Sequence, residues 1–209
     1  MGQVAFPPMP GIVLAGGRSL RMGRPKALLP WPATQVPFVL HVTETLRNAG
    51  IGPLGVVTGE HHDAIAATLA GTDVVVLYNA RHADGQLGSL LHGLLWAFEQ
   101  TDGDWALATL VDVPRVQSST VRTLVRATAG GEARAIRPAC GARHGHPVLW
   151  RRDVLALLAA ADPAQGARAI MRSLAAQGAV CDVSVTDEGV FSDLDTPDDY
   201  EALIRADRP

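Results

Sequence analysis

Cysteine is scarce in this 209-residue sequence, and long apolar runs are missing. The two cysteines, Cys140 and Cys181, lie far apart, which argues against a disulfide scaffold or a zinc ribbon and fits a reducing compartment. No apolar run reaches the ~18 residues that a membrane-spanning helix needs. Residues 1–10 hold three prolines and no basic residue, so we expect a loose leader rather than a signal peptide. These absences predict a cytoplasmic protein without a membrane partner.

An excess of positive charge is also lacking. The sequence carries 18 Lys and Arg against 21 Asp and Glu, a net charge of −3, which argues against a nucleic-acid partner. Apolar residues make up 47% and charged residues 19%, the composition of a globular protein rather than a disordered one. At this length we expect one domain over residues 1–209 with a substantial core.

Short apolar segments alternate with helical patterns over the first 130 residues. This alternation predicts a three-layer α/β/α fold with a mostly parallel, Rossmann-like sheet. Strands are predicted at residues 11–15, 54–58, 74–78, 105–111, 133–137, 147–150, 180–185 and 190–194. Helices are predicted at 36–49, 63–70, 90–99, 118–128, 153–160, 166–177 and from 197 onward. Residues 139–185 depart from the alternation and are expected to form an acceptor-side subdomain on the same core.

Two further expectations concern the predicted helix over 90–99 and the segment before it. The helix is expected to bury Leu91, Leu94, Leu95 and Phe98, and residues 85–89 are expected to form a polar, glycine-bearing loop. Ligands bind at the carboxyl ends of the strands in such sheets. Three loops with suitable chemistry follow predicted strands there: after residue 15, after residue 79 and at residue 112.

Residues 11–26 begin as an apolar strand and turn abruptly into a loop rich in glycine and arginine. Such a loop brings backbone N–H groups and cations to one point, which is how a chain holds a triphosphate. Arg18, Arg21, Arg24 and Lys26 would repel one another unless an anion lay among them, although the arginines could simply face solvent. The stretch is neither a Walker A loop nor a Gly-x-Gly-x-x-Gly fingerprint, so a generic glycine-rich turn is the alternative.

Four stretches together resemble one known family. Residues 14–30, Leu-Ala-Gly-Gly-Arg-Ser-Leu-Arg-Met-Gly-Arg-Pro-Lys-Ala-Leu-Leu-Pro, resemble the signature Leu-Ala-(Ala/Gly)-Gly-x-Ser-x-Arg-Met-Gly-x-x-Lys-x-Leu-Leu of the molybdenum cofactor nucleotidyltransferases. Residues 110–114, 145–149 and 193–199 are similar to later motifs of that family, in the same order. The family comprises molybdopterin cytidylyltransferases and guanylyltransferases. The resemblance implies a glycosyltransferase-A-like, nucleotide-diphospho-sugar-transferase-like fold.

The resemblance implies a role for each position of the first motif. Nucleotide contacts are implied for Leu14, Ala15, Gly16, Gly17, Arg18, Ser19 and Gly23. The first three would hold the base and ribose through their backbone, and the glycines would let the backbone approach the phosphates. Arg21 and Lys26 are implied as catalytic cations that neutralise the β- and γ-phosphates and the departing pyrophosphate.

Two aspartates are implied as ligands of a Mg²⁺ cofactor. Asp112, also implied as catalytic, ends an apolar strand, and Asp195 precedes a helix capped by Thr196. Asp193 competes with Asp195 as the second ligand, because the two flank one residue and would face opposite ways in an extended segment. The plainer alternatives are a strand-end turn former for Asp112 and a helix N-terminal acid for Asp195.

Other positions have weaker support. Contacts with the base are expected from Thr58, Gly59, Asn79, Gly88 and Ser89. The alternative is that these are ordinary loop residues. The resemblance places Gly145, His146 and Pro147 on the acceptor side, where Arg143 could assist; a polar loop is the alternative. The pair at 61 and 62 is interpreted as a solvated helix start.

The resulting hypothesis is a Mg²⁺-dependent nucleotidyltransferase that moves NMP from an NTP to a phosphorylated acceptor, molybdopterin or molybdenum cofactor, and releases pyrophosphate. CTP is favoured because residues 145–149 resemble the cytidylyltransferase branch, although Gly16 and residues 110–114 depart from it. The alternatives are GTP, a sugar phosphate or other small phosphorylated precursor as acceptor, and a non-catalytic nucleotide-binding partner in cofactor insertion. A molybdoenzyme or its chaperone is the expected protein partner.

Overall fold

Residues 8–206, the part of the chain that this computed structural model describes, form one mixed sheet with helices on both faces. The strands are β1 Met9–Ala15, β2 Ile51–Thr58, β3 Val75–Tyr78, β4 Trp105–Leu110, β5 Ala135–Cys140, β6 Arg143–His144, β7 Val148–Arg151 and β8 Val180–Ser184. The helices are α1 Phe38–Asn48, α2 His62–Leu69, α3 Gln86–Glu99, α4 Ser118–Ala127, α5 Leu155–Ala160, α6 Gly166–Ala176 and α7 Pro197–Ala206. The predicted α/β class with a mostly parallel sheet is confirmed.

The strand order creates a switch point between β1 and β4. The sheet runs β3-β2-β1-β4-β7-β5-β6, and β8 pairs with β5. β1 to β4 are parallel to one another, whereas β7 runs antiparallel between β4 and β5. The chain steps outward from β1 to β3 and then returns to the other side of β1 as β4. Ligands bind at such a reversal, at the carboxyl ends of the strands.

Each face of the sheet has its own apolar core. Val13 and Ala15 of β1 point into a core shared with α1, α2, α4 and α7, while Ile12 and Leu14 point into one shared with α3, α5 and α6. α3 lies especially close to the sheet, since a Cβ on Gly93 would come within 2.5 Å of the Ile12 Cδ1 atom. The alternation of buried side chains therefore fixes which helices cover each face.

The strand predicted at 190–194 is wrong. Residues Glu188–Phe191 form a 3₁₀ helix, and the following residues are irregular up to α7. The buried Asp187 carboxylate accepts hydrogen bonds from the Gly189 N–H (2.9 Å), the Gln117 N–H (2.9 Å) and the Thr120 hydroxyl (2.7 Å). These bonds tie the segment to the start of α4 and divert its backbone from a strand path.

The start of α3 also differs from expectation. The helix begins at Gln86 rather than at Leu90, so most of the predicted loop 85–89 is its first turn. Gly85, at φ +115°, supplies the left-handed backbone that precedes the helix. Leu95 is 47% exposed instead of buried, because the face toward the sheet carries Leu90, Gly93, Leu94 and Ala97.

The chain start differs as well. β1 begins at Met9, so the last two residues of the expected leader belong to the sheet, with Met9 opposite Ile51. Residues 1–7 lie outside the described residues. Strands β6, β7 and β8 of the 139–185 region join the same sheet. Over residues 8–206, none of the helices combines the length and apolarity needed to cross a membrane.

Replacing Asp187 with Ala should lower the free energy of unfolding by about 2–4 kcal/mol, because buried donors lose their acceptor. Urea unfolding monitored by circular dichroism measures this. The exposed Asp102 provides the control, and Asp102→Ala should change stability by less than about 0.5 kcal/mol. Equal stability of the two variants would contradict the anchoring role of Asp187.

Candidate active site

The loop after β1 folds back on itself and returns Lys26 to the sheet edge. Ser19 and Gly23 both adopt positive φ, and the Gly23 N–H donates to the Ser19 carbonyl oxygen at 3.0 Å. The Ser19 hydroxyl accepts from the Lys26 N–H at 3.2 Å. Met22 is buried beneath the turn. As a result, the Arg21 side chain stays 71% exposed, whereas that of Lys26 is only 13% exposed.

The Lys26 ammonium joins two carboxylates that are distant in sequence. Its Nζ lies 2.8 Å from Asp112 Oδ2 and 2.5 Å from Asp195 Oδ1, and Arg21 Nη2 lies 2.6 Å from Asp195 Oδ2. Burial by itself lowers the pKa of Lys26, but the hydrogen bonds and charges of the two carboxylates raise it above its ordinary value. The hydrogen bond from Lys26 holds the pKa of Asp195 below its usual range. Lys26 is the only lysine in the sequence.

Backbone contacts explain why the two carboxylates meet. Asp112 follows β4 at the carboxyl edge, and its carbonyl oxygen accepts from the Leu194 N–H at 2.9 Å. The Asp199 carboxylate then accepts from the N–H groups of Asp195 (3.0 Å) and Thr196 (2.8 Å), while the Thr196 hydroxyl accepts from the Asp199 N–H (3.2 Å). This reciprocal arrangement confirms the predicted cap of α7 and holds Asp195 in position.

Asp193 lies near the cluster but outside its ion pairs. Burial raises the pKa of this carboxyl, and the negative charges of Asp112 and Asp195 raise it further. Within residues 8–206, Asp193 makes no ion pair with Lys26 or Arg21. The two candidates for the second acidic position therefore differ: Asp195 is ion-paired with Lys26 and Arg21, whereas Asp193 feels the positive charges of Lys26 and Arg168 only at a distance.

A cleft of about 520 Å³ opens beside this cluster at the carboxyl edge of β1, β2 and β4. Eleven predicted site residues line it: Leu14, Ala15, Gly16, Gly17, Arg18, Ser19, Arg21, Lys26, Ser89, Asp112 and Asp195. The other predicted nucleotide-binding residues, all within the described chain, lie outside its lining: Gly23, Thr58, Gly59, Asn79 and Gly88. The structure thus brings together the first motif and both aspartates.

Thr58 and Asn79, two of the residues outside the lining, form hydrogen bonds behind the cleft. Thr58 is fully buried, and its hydroxyl contacts His62 Nδ1 at 2.8 Å and the Leu77 carbonyl oxygen at 3.3 Å. The Asn79 amide donates to the Ser89 hydroxyl oxygen at 3.0 Å, and its own oxygen accepts from the Arg81 N–H. The Asn79 amide uses a lone pair of the Ser89 oxygen, so this bond does not engage the Ser89 hydroxyl proton.

The predicted acceptor motif borders a second, smaller cavity. His146 lines this cavity of about 50 Å³, which shares Leu14, Gln86 and Leu110 with the large cleft. A Cβ on Gly145 would lie 2.1 Å from the Val190 carbonyl oxygen, so only glycine fits there. That oxygen accepts from the His146 N–H at 3.0 Å, which fixes the motif against the segment leading to the aspartates.

The chain is similar in sequence to one known protein family. A family model described as the MobA-like NTP transferase domain matches residues 11–179. This chain belongs to the MobA-like NTP transferase family. A protein named "Probable molybdenum cofactor guanylyltransferase" from Mycobacterium marinum is 29% identical over 195 residues, 93% of this chain and 92% of that protein.

Solved structures agree with this assignment. The crystal structure of Rv0371c from Mycobacterium tuberculosis H37Rv superposes with a TM-score of 0.79 at 29% identity, over 95% of this chain and 99% of that one. A structure of Rv0371c in complex with manganese superposes with a TM-score of 0.71 at 26% identity, over 96% of this chain and 100% of that one. The chain is therefore a nucleotidyltransferase with the nucleotide-sugar transferase fold.

The aspartates of this MobA-like chain offer donors suited to a hard cation. Asp112 Oδ1 is buried and lacks a hydrogen-bond partner among the described residues. Across residues 8–206, His, Cys, Asp and Glu side chains form no group of three arranged to hold a metal. A divalent cation with few protein ligands, completed by phosphate oxygens and water, fits this donor set.

Two histidines in the lining were missed or misread in the sequence. His61 and His82 both line the large cleft. The sequence suggested that His61 belongs to a solvated helix start, and His82 was not predicted to belong to the site. Both side chains are half-buried. Their position directly after β2 and after β3, at the carboxyl edge, was the available signal. Gln86 and Ile65 also line the cleft without having been predicted.

Burial lowers the pKa of His146 to about 4, although the charge of Asp112 acts in the opposite direction. The unfolded chain, with an ordinary histidine pKa of about 6.5, then binds more protons than the folded chain between these values. Stability should fall as the pH drops from about 6.5 toward 4, and His146→Gln should reduce that fall. Urea midpoints at pH 7 and pH 5 measure it. Gln100→Ala, at an exposed position without a titratable group just after α3, should leave the pH dependence unchanged.

Proposed function

We propose that this chain transfers GMP from GTP to the phosphate of a molybdopterin-type acceptor and releases pyrophosphate. The observation that carries the proposal is the Lys26 ammonium bridging Asp112 and Asp195 beside the glycine-rich loop. Cations that neutralise phosphates and carboxylates that hold a metal are the parts that phosphoryl transfer needs. The acceptor class is supported by the name of the Mycobacterium marinum relative.

GTP replaces CTP as the favoured substrate. The preference for CTP rested on residues 145–149, whereas the Mycobacterium marinum relative is named a guanylyltransferase. Gly16 also supports GTP, because the cytidylyltransferase branch commonly has Ala at this position. A Cβ on Gly16 would come within 3.4 Å of the Ser89 hydroxyl oxygen and narrow the cleft. CTP remains the alternative to be tested against GTP.

The geometry suggests how the triphosphate lies in the cleft. The polyphosphate belongs beside Lys26 and Arg21, with the backbone of residues 17–23 around it. A phosphate oxygen of the acceptor attacks the α-phosphorus in line, the bond to the bridging oxygen breaks, and pyrophosphate leaves. Lys26 and Arg21 stabilise the charge that develops on the leaving group. Positioning and charge neutralisation suffice, and no covalent enzyme intermediate is needed.

Asp112 and Asp195 would hold the Mg²⁺ ion, with Asp193 as the alternative to Asp195. The unpartnered Asp112 Oδ1 supports this assignment, as does the manganese complex of Rv0371c. When bound, the ion would add positive charge at the phosphates of the substrate. In the structure, Lys26 and Arg21 compensate the charges of these carboxylates. The same two cations would turn toward the phosphates in the loaded site.

The acceptor would enter from the side of Gly145, His146 and Pro147, within the 139–185 region. The neutral His146 ring, beside the small cavity that adjoins the cleft, can donate to or accept from a phosphate or a pterin. Arg143 instead anchors this region, because it pairs with Glu188 at 2.7 Å and stacks on the Phe191 ring at 4.3 Å. A molybdoenzyme or its chaperone would receive the product.

The free thiols of Cys140 and Cys181 fit a reducing compartment such as the cytoplasm.

A nucleotide panel tests the proposal directly. The protein is incubated with Mg²⁺, each of GTP, CTP, ATP and UTP, and either molybdopterin or a sugar phosphate as acceptor, and pyrophosphate is measured. GTP should give the fastest release, and Asp112→Asn should reduce it by at least about 100-fold. Release with CTP alone would reassign the base, and release only with a sugar phosphate as acceptor would reassign the acceptor. Nucleotide binding without release in any mixture would favour a non-catalytic partner.

Replacing Lys26 with Met should weaken GTP binding by about 10- to 100-fold, because charge-assisted hydrogen bonds to phosphate are lost. GMP binding should change far less, since the β- and γ-phosphates are absent. Isothermal titration calorimetry of both nucleotides measures the difference. The exposed Arg126 on α4 provides a matched control through Arg126→Met. Equal losses for GTP and GMP would contradict a role at the terminal phosphates.

A further inference from the structure

Two histidines that line the large cleft each have a ring nitrogen without a hydrogen-bond partner in the described chain. His61 Nε2 and His82 Nδ1 are both buried, and neither has a hydrogen-bond partner within residues 8–206. Both residues line the cleft, although they come from different connections, β2 to α2 and β3 to α3. Buried polar atoms are nearly always hydrogen-bonded, so two in one cleft indicate a ligand that supplies the missing partners.

The histidines lie at the opposite end of the cleft from the charge cluster. Asp112 follows β4, on one side of β1, whereas His61 and His82 follow β2 and β3, on the other side. From β4 to β3 the sheet spans three strand spacings, about 14 Å. That length accommodates an extended nucleotide whose two ends differ in chemistry. With the phosphates beside Lys26 and Arg21, as in the proposed function, the nucleoside would extend toward β2 and β3.

His82 is held rigidly in this position. Its ring lies against Gly59, where an added Cβ would come within 2.5 Å of the His82 Cγ atom and 2.7 Å of the Gly16 carbonyl oxygen. The backbone N–H of His82 donates to the backbone carbonyl oxygen of Asn79 at 3.1 Å. Gly59 thus serves the site indirectly, by letting the imidazole pack next to the glycine-rich loop.

His61 completes the same end of the cleft. It directly precedes α2, and its carbonyl oxygen accepts from the N–H of Ile65, which also lines the cleft. The neighbouring Glu60 forms an exposed ion pair with Arg18 at 3.7 Å, so the loop after β2 and the loop after β1 approach each other here. The histidines, Ile65 and Ser89 give this end an apolar and hydrogen-bonding character that suits a nucleoside rather than a phosphate.

We propose that His61 and His82 are the nucleoside-recognition residues of this chain, each hydrogen-bonding through its unpartnered ring nitrogen to the base or ribose of the bound triphosphate. The inference rests on the proposed function and assigns one end of its substrate. A neutral imidazole nitrogen donates or accepts according to its tautomer, and a nucleoside offers partners of both kinds.

The test compares GTP with inorganic tripolyphosphate, which carries the phosphates without the nucleoside. His61→Phe and His82→Phe keep a planar aromatic ring at each position, including the one that lies against Gly59, and remove the ring nitrogens. Each should weaken GTP binding in calorimetry by about 3- to 10-fold, the effect of one lost hydrogen bond, and should leave tripolyphosphate binding within twofold. His92→Phe, at an exposed position outside the cleft, should change neither affinity.

GTP affinity within twofold of wild type in both variants would overturn the inference, and so would an equal loss of tripolyphosphate binding. If His82→Phe lowers the thermal midpoint, His61→Phe alone decides the matter, because it leaves the His82 ring against Gly59 unchanged. Failure of the proposed function has a different signature. In that case the wild-type protein binds tripolyphosphate but neither GTP nor CTP, whatever residues stand at 61 and 82.

Discussion

The Lys26 ammonium between two carboxylates is the interaction on which the site depends. A side chain that is only 13% exposed keeps its charge because Asp112 and Asp195 compensate it. The three residues come from the first loop, the end of β4 and the segment before α7, so one cation joins parts of the chain that are up to 169 residues apart. Without it the two carboxylates would repel each other across the cleft. The cluster is stable only as a balanced set, and a metal with phosphates would be a second way to balance it.

The sheet topology makes this meeting possible. β1 and β4 are neighbours although about 90 residues separate them, and their carboxyl ends open on the same edge. Loops from β2 and β3 extend that edge in the other direction. The cleft therefore has one end with the Lys26 charge cluster and another end with His61 and His82, because of the order in which strands join the sheet. The Asp187 hydrogen bonds and the close contact at Gly145 place the C-terminal segment over the charged end.

Much of the charged end could be predicted from sequence, and little of the other end. Local motifs mark Leu14 to Lys26 and Asp112, because backbone turns and strand ends are encoded by neighbouring residues. Thr58 and Asn79 are predicted to contact the nucleotide, and the structure adds that their side chains bond to His62 and Ser89. Such partners depend on packing from another element and are not encoded by neighbouring residues. The strand predicted at 190–194 failed for the same reason, since Asp187 bonds to the start of α4 across 67 to 70 residues. His61 and His82 follow predicted strands, but only the fold brings the two connections to one cleft.

The presence of a single lysine in the sequence has a spectroscopic consequence. Isotope-labelled lysine would contribute one side-chain ammonium to the spectrum of the whole protein, and that group lies between Asp112 and Asp195. Its chemical shift would respond to whichever charges surround it, without interference from other lysines. This chain therefore contains its own site-specific reporter on the occupancy of the charge cluster, which needs neither an attached probe nor a replaced residue.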